Sequence, residues 1–156
     1  MNNEITIREA VKGDVPVLRK YEQEVVNAER PMNPAIKESG VIYYDLEALI
    51  ENPRATILLA CDGDKIVATG YALEKAAKDY LDHEAFAYLG FMYTDPDYRG
   101  RGLNGKIVDA LLDWSKKAGL TEIKLDVYSD NEPAIRAYEK KGFKRHMIEM
   151  RLRTEL

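Results

Sequence analysis

About two-thirds of the way along the chain, one continuous stretch changes character three times. AFAYLGFMYT (85–94) reads as an aromatic-rich strand that stops at Asp95-Pro96. RGRGLNG (99–105) follows, and then an apolar stripe at helical spacing: Leu103, Ile107, Ala110, Leu111, Trp114 and Ala118, ending at Gly119. TEIKLDVYS (121–129) reads as a strand again. Strand, glycine turn, helix and strand together make a βαβ crossover, which places two parallel strands in one sheet with the helix against a face.

The rest of the chain has a different pattern. EITIREA (4–10) alternates apolar and polar residues, as a half-buried strand should. Asp14 reads as an N-cap, with Pro16 in the first turn and Leu18, Tyr21, Val25 and Ala28 at helical spacing. ERPMNPAIKESG (29–40) is a loop, long enough for function to be expected of it, and YYDLEALIENP (43–53) is a short helix stopped by Pro53. ATILLAC (55–61) and KIVATGYALEKA (65–76) flank Asp62-Gly63-Asp64, a hairpin signal. After the crossover, residues 133–141 form a helix closed by Gly142, and FKRHMIEMRLR (143–153) alternates like a last strand. The order β-α-α-β-β-β-α-β-α-β predicts an antiparallel meander, one βαβ crossover and a closing strand, in one continuous domain over 1–156.

Composition narrows the function classes. A single cysteine, Cys61, rules out an internal disulfide and fits a reducing cytoplasm. His83 and His146 are far apart and have no cysteine partners, so no metal site is expected. No apolar run approaches the ~20 residues of a membrane span, and the N-terminus lacks a secretion-signal pattern. Net charge is −4, which does not favour nucleic acid. The charge is unevenly spread: residues 1–98 hold ten Lys and Arg against eighteen Asp and Glu, whereas 99–156 hold thirteen against nine. That split suits an anionic ligand on the C-terminal part and a cation on the N-terminal part.

The glycines fit several phosphate-binding templates, and topology separates them. Gly100-Arg101-Gly102-Leu103-Asn104-Gly105 matches the dinucleotide fingerprint G-x-G-x-x-G, with Asp126 at the spacing of the ribose-binding acid. That fold normally opens with its glycine loop and needs several crossovers. Here only one follows, and Asp95-Pro96-Asp97-Tyr98 separates strand from glycines. Gly100…Gly105-Lys106 is most of a P-loop, but Ile107 stands where Ser or Thr should hold Mg²⁺.

A further pattern extends beyond the glycines. Arg99…Gly102…Asn104 is followed by Asn131…Ala134…Tyr138 and then Gly142-Phe143, with β-α-β between the two motifs. Residues 85–143 thereby resemble the GNAT superfamily of acetyl-CoA-dependent N-acetyltransferases. The resemblance implies an α/β (α+β) GNAT fold: a mixed, mostly antiparallel central sheet, one β-α-β crossover, about four flanking helices and a cofactor cleft where the fourth and fifth strands splay. One departure is Asn104, where the family usually has Gly or Ala. Asparagine tolerates unusual backbone angles, so altered rather than lost binding is expected.

The implied cosubstrate is acetyl-CoA, with no metal. Backbone N–H groups over Gly100, Arg101, Gly102, Leu103, Asn104 and Gly105 suit a pyrophosphate at a helix N-terminus, and Arg99, Arg101 and Lys106 add positive charge. By resemblance, the strand edge Met92-Tyr93-Thr94 pairs with the pantetheine arm, Asn131 contacts the cofactor and Tyr138 is the general acid. Asn131, before Pro133, also sits where a helix N-cap belongs, and Tyr138 also suits packing beside Ala134. The base is open: a water relay ending at Glu84, with Tyr88 and Tyr93 nearby, or else Glu22 or Glu29. Strand parity puts Tyr88 and Met92 on one face and Tyr93 on the other. Glu29, Tyr43, Tyr44 and Asp45 are candidates for an aromatic, acidic mouth for a cationic acceptor, either a small-molecule amine or a protein amine. No nucleic-acid or membrane partner is expected, and the resemblance is compatible with a homodimer. The alternative is a CoA-binding regulatory or sensor domain of the same fold without turnover.

Overall fold

A computed structural model describes residues 4–155, which fall into two compact units, one running up to Asp126 and the other from Val127 onward. The first unit contains a five-stranded sheet in the order β1-β2-β3-β4-β5, with β1 Ile5–Glu9, β2 Ala55–Asp62, β3 Lys65–Ala76, β4 Ala85–Thr94 and β5 Ile123–Leu125. β1 to β4 pair antiparallel, and β4 pairs parallel with β5. The helices of this unit are α1 Val15–Glu29, α2 Leu46–Glu51 and α3 Leu103–Lys117. The central strands are buried nearly throughout, because both of their faces are covered. Leu18 and Tyr21 of α1 and Leu46 and Leu49 of α2 pack with Ile57, Leu59, Phe91 and Tyr93 on one face. Ile107, Val108 and Leu111 of α3 are fully buried. Gly70 of β3 lies directly beneath Ile107 and Leu111, while the adjacent Tyr71 joins the α1/α2 side.

Several expectations need correction. The buried stripe of α3 is Leu103, Ile107, Val108, Leu111 and Ser115; Ala110 and Trp114 are half-buried and Ala118 is exposed. Asp14 precedes α1, but its carboxylate does not cap that helix. It accepts from Val11 N and from both terminal nitrogens of Arg8, tying β1 to the entry of α1. The strand predicted over 121–129 forms ladder only at Ile123–Leu125.

The second unit holds α4, Glu132–Lys140, which Asn131 caps by accepting from Ala134 N at 3.3 Å. The strand predicted over 143–153 does not form. Its residues pair with no strand among those described, and Met147, Ile148, Met150 and Leu152 are each more than 80% exposed. Alternation alone does not make a strand, since the ladder hydrogen bonds must come from a neighbour.

Candidate functional site

β4 forks away from β5. Their register runs Ala87↔Ile123, Tyr88↔Lys124 and Leu89↔Leu125 and then ends, so the β5-facing edge of β4 is open from Gly90 onward. Met92, Tyr93 and Thr94 lie within that open stretch, which begins two residues earlier than expected.

A bulge at the fork changes which way the side chains point. Tyr71 pairs with Gly90 and Thr69 with Tyr93, so three steps on β4 match two on β3. Phe91 occupies the extra position with φ +54°, a backbone region that costs a bulky residue about 1–2 kcal/mol. The conformation is held from two sides: the Phe91 ring stacks on Tyr44 at 4.7 Å, and its carbonyl accepts the Thr69 hydroxyl at 2.7 Å. The bulge overturns the parity count. Tyr88, Phe91 and Tyr93 all pack against the α1/α2 core, while Met92 points towards Ile107 and Leu111 of α3. Gly90 is required here, because a Cβ would come within 2.4–2.7 Å of the Tyr71 ring and hydroxyl lying across it.

At the far end of the fork the chain turns into α3. Gly100 and Gly102 have φ +78° and +75°, which only glycine adopts without strain, and nothing lies within 4 Å of where their Cβ atoms would be. The first intrahelical bond shown is Lys106 N to Gly102 O, so the N–H groups of Leu103, Asn104 and Gly105 have no partner within the helix. Asn104 is an ordinary helical residue; the unusual backbone angles belong to the glycines, not to it. Arg101 lies over the Tyr98 ring at 4.7 Å and donates to Asp97 O, and Arg99 Nε donates to Thr94 O at 3.2 Å. Tyr98 in turn donates to Asp62 of the β2–β3 hairpin, and Lys65 pairs with Asp95 at 3.5 Å. Three free N–H groups at the positive end of a long helix, open glycines and nearby guanidinium groups fit a pyrophosphate.

A row of tyrosines lies on the α1/α2 face of the sheet beside the fork. Tyr43 meets Tyr44 edge-on at 5.7 Å, Tyr44 meets Tyr71 at 5.8 Å, and Tyr71 meets Tyr88 at 6.3 Å. Tyr88 donates to Asp126 at 2.9 Å. Burial pushes the phenols of Tyr44, Tyr71 and Tyr88 upward, with Asp126 adding to Tyr71 and Tyr88 and Glu29 adding to Tyr44 and Tyr88. Glu29, at the end of α1, is itself raised above the ordinary 4.5 by burial, against an opposing hydrogen bond with Tyr43.

The long loop is anchored to α1 by side chains. Glu22 has a fully buried carboxylate that accepts from Tyr43 N at 3.0 Å, Tyr44 N at 2.8 Å and Arg19 at 3.3 Å. Arg19 also donates to Tyr44 O and Glu47, Gln23 to Val41 O, and Arg30 to the carbonyls of Lys37 and Glu38. With its oxygens committed in this way, Glu22 is a clamp for the loop rather than a base. Glu84 precedes β4, six residues from Gly90 and so about 20 Å along the strand from the fork. Asp45 caps α2 by accepting from Ala48 N.

Sequence reading missed Tyr71, Gly90 and the pairing of Tyr88 with Asp126. Asp126 stood out only as a candidate ribose acid, and no local pattern connects it to Tyr88. Within the second unit, Tyr138 is half-buried with its ring edge-on to Phe143 at 5.9 Å, and Asn131 is the N-cap of α4. Among the described residues no group of three His, Cys, Asp or Glu side chains is placed to hold a metal ion, and no helix is long and apolar enough to cross a membrane.

The chain is similar to known proteins. A family model described as the acetyltransferase (GNAT) family matches residues 22–143. A mycothiol acetyltransferase from Geodermatophilus obscurus is 31% identical over 96 residues, covering 62% of this chain and only 31% of the relative's own length. Among solved structures, a tetramutant protein from Bacillus halodurans superposes with a TM-score of 0.81 at 23% identity, over 96% of this chain and 99% of that one. A predicted acetyltransferase with acetyl-CoA from Clostridium acetobutylicum gives 0.75 at 19% identity, over 96% of each chain. At such identities the structural likeness establishes the fold: a mixed α/β architecture with a five-stranded, mostly antiparallel sheet and four helices among the described residues.

Proposed function

Because this chain belongs to the GNAT acetyltransferase family, we propose that it transfers an acetyl group from acetyl-CoA to a primary amine by direct attack. The observation that carries this reading is the fork after Leu89 and Leu125, which opens a strand edge beside the glycine-turned start of α3. Acetyl-CoA supplies the activated acetyl thioester. Leu103, Asn104 and Gly105 offer N–H groups to its pyrophosphate, with Arg99 and Arg101 nearby, and the open edge over Met92-Tyr93-Thr94 pairs with its amide-rich arm. An N–H on that edge also polarises the thioester carbonyl. Tyr138, at the position the family motif gives to the acid, protonates the departing thiolate, and Asn131 contacts the cofactor while capping α4. Glu29, Tyr43 and Tyr44 belong to the mouth that receives the amine as a cation. Glu84, just before β4, enters this scheme only as the end of a water relay. No metal takes part in this scheme, and the reaction is assigned to the cytoplasm on the strength of the single cysteine.

The test is a thermal-shift series with acetyl-CoA, CoA, NAD and ATP, followed by thiol release with putrescine, spermidine, L-lysine, glucosamine, tyramine and a tripeptide. Stabilisation by the two CoA species alone, together with turnover of at least one amine, is expected. Binding without any thiol release would favour the sensor reading, and stabilisation by NAD or ATP would overturn the family-based assignment of the ligand.

A further inference from the structure

The attacking amine arrives as an ammonium ion, because an ordinary alkylamine has a pKa near 10, and one proton must leave before nitrogen can attack. Glu22 has its oxygens committed to the loop, Glu29 shares its carboxylate with Tyr43, and Glu84, before β4, is reached only through water. The geometry points to Tyr88 and Asp126 as the proton relay that deprotonates the acceptor, an inference that rests on the acetyltransferase reading above.

Tyr88 stands one residue before the β4–β5 ladder ends, at the vertex of the fork and on the face that carries Tyr44 and Tyr71. Its hydroxyl commits its single hydrogen to Asp126 Oδ2 at 2.9 Å, so its lone pairs remain to accept another. Asp126 is exposed, which gives the proton an exit to water. The step is balanced: an N–H bond of the ammonium breaks as an O–H bond forms at Tyr88 Oη, and the original Tyr88 O–H bond breaks as a new one forms at Asp126 Oδ2. Asp126 then releases a proton to solvent and the neutral nitrogen attacks the thioester carbon; as the C–S bond breaks, nitrogen sheds its second proton to solvent and the thiolate takes one from Tyr138. Tyr88 never needs to become a phenolate. This is consistent with the way burial and Asp126 hold it protonated.

The groups facing Tyr88 fit this role. Lys75 of β3 lies over its ring at 4.2 Å, Tyr71 of β3 lies beside it, Lys124 of β5 is its register partner, and Glu29 of α1 contributes negative charge from the mouth. Lys75 covers the Tyr88 ring, Lys124 lies over Phe86 instead, and Glu29 and Asp126 supply the negative charge on this side. The acceptor class that needs such a relay is an aliphatic primary amine, charged at neutral pH. An arylamine, uncharged there, has no ammonium proton to lose before it attacks.

The test uses the full chain and whichever of the panel amines turns over. Tyr88→Phe and Asp126→Asn should lower kcat/KM for the amine about 10²-fold at pH 7, leave KM for acetyl-CoA unchanged, and recover to within a few-fold of wild type near pH 9.5, where solvent supplies free amine. Asp126→Glu should restore part of the rate. A second readout needs no turnover: with ¹³Cζ-tyrosine, the resonance missing in Tyr88→Phe should titrate at lower pH in Asp126→Asn. A deficit that stays constant with pH, an unaltered Asp126→Asn enzyme, or an unmoved Tyr88 titration would each overturn the relay while leaving acetyl transfer standing. No turnover with any amine would overturn both.

Discussion

Gly90 and Glu29 show how single residues give the site its character. At Gly90 the constraint is steric, because the missing Cβ is the space that the Tyr71 ring occupies. Gly90→Ala should displace that ring, raise KM for the amine several-fold and cost about 1–3 kcal/mol in a urea titration. At Glu29 the constraint is electrostatic. Burial raises its folded pKa above the ordinary 4.5, so the folded state holds its proton more tightly than the unfolded chain does. The associated stability is therefore present at low pH and lost as pH rises through the folded value. Glu29→Gln should match wild type in Tm below about pH 4.5 and exceed it at pH 7.5, by about 0.5 kcal/mol or 1–2 °C. The same variant should bind cationic acceptors less well. A residue that weakens the fold and strengthens ligand binding is expected at a site that awaits a positive charge.

Among the elements, the turn into α3 depends on a different part of the chain. Its glycines determine the path, but its position comes from Tyr98, which reaches Asp62, and from Asp95, which pairs with Lys65 and donates its N–H to Val67 O. Tyr98→Phe removes one of these ties without changing the shape of the ring. The expected result is a three- to tenfold weaker affinity for acetyl-CoA with kcat nearly unchanged, measured by calorimetry and steady-state kinetics. The loop between α1 and α2 follows the same logic. Its glycine and prolines make it irregular, yet the α1 side chains Arg19, Glu22 and Gln23, with Arg30 just after the helix, hold its backbone in place. The helices, the hairpin and the glycine turn were legible in the sequence because their signals are local: apolar spacing, Asp-Gly, and Gly100 and Gly102. The bulge at Phe91 was not, because nothing in AFAYLGFMYT marks where an extra residue will be accommodated. Its position is decided by Thr69, Tyr71 and Tyr44 from other elements.

At the scale of the whole molecule, acid tolerance depends in part on the join between β1 and α1. Arg8's hydrogen bonds hold the Asp14 carboxyl below the ordinary aspartate value of 3.8, with burial opposing and Val11 N assisting. A depressed folded pKa contributes stability that is present above the unfolded value and lost as pH falls through the folded one. Asp14→Asn should therefore cost about 1–2 kcal/mol at neutral pH, and the gap to wild type should close as pH falls below 3.8, followed by circular dichroism. The amino-acid sequence by itself determined the order of elements as far as α4, the single crossover and the family, because periodicity, turn residues and motif spacing are properties of neighbouring positions. Tertiary structure alone decided which residues share a surface. Glu29, Tyr44, Tyr71, Tyr88 and Asp126 come from five different helix, strand and loop segments spread over nearly a hundred positions, and one bulge re-phased the face on which Tyr88, Met92 and Tyr93 point. It also decided that residues 143–153, strand-like in pattern, pair with no strand among the described residues, because a strand is completed only by the edge beside it.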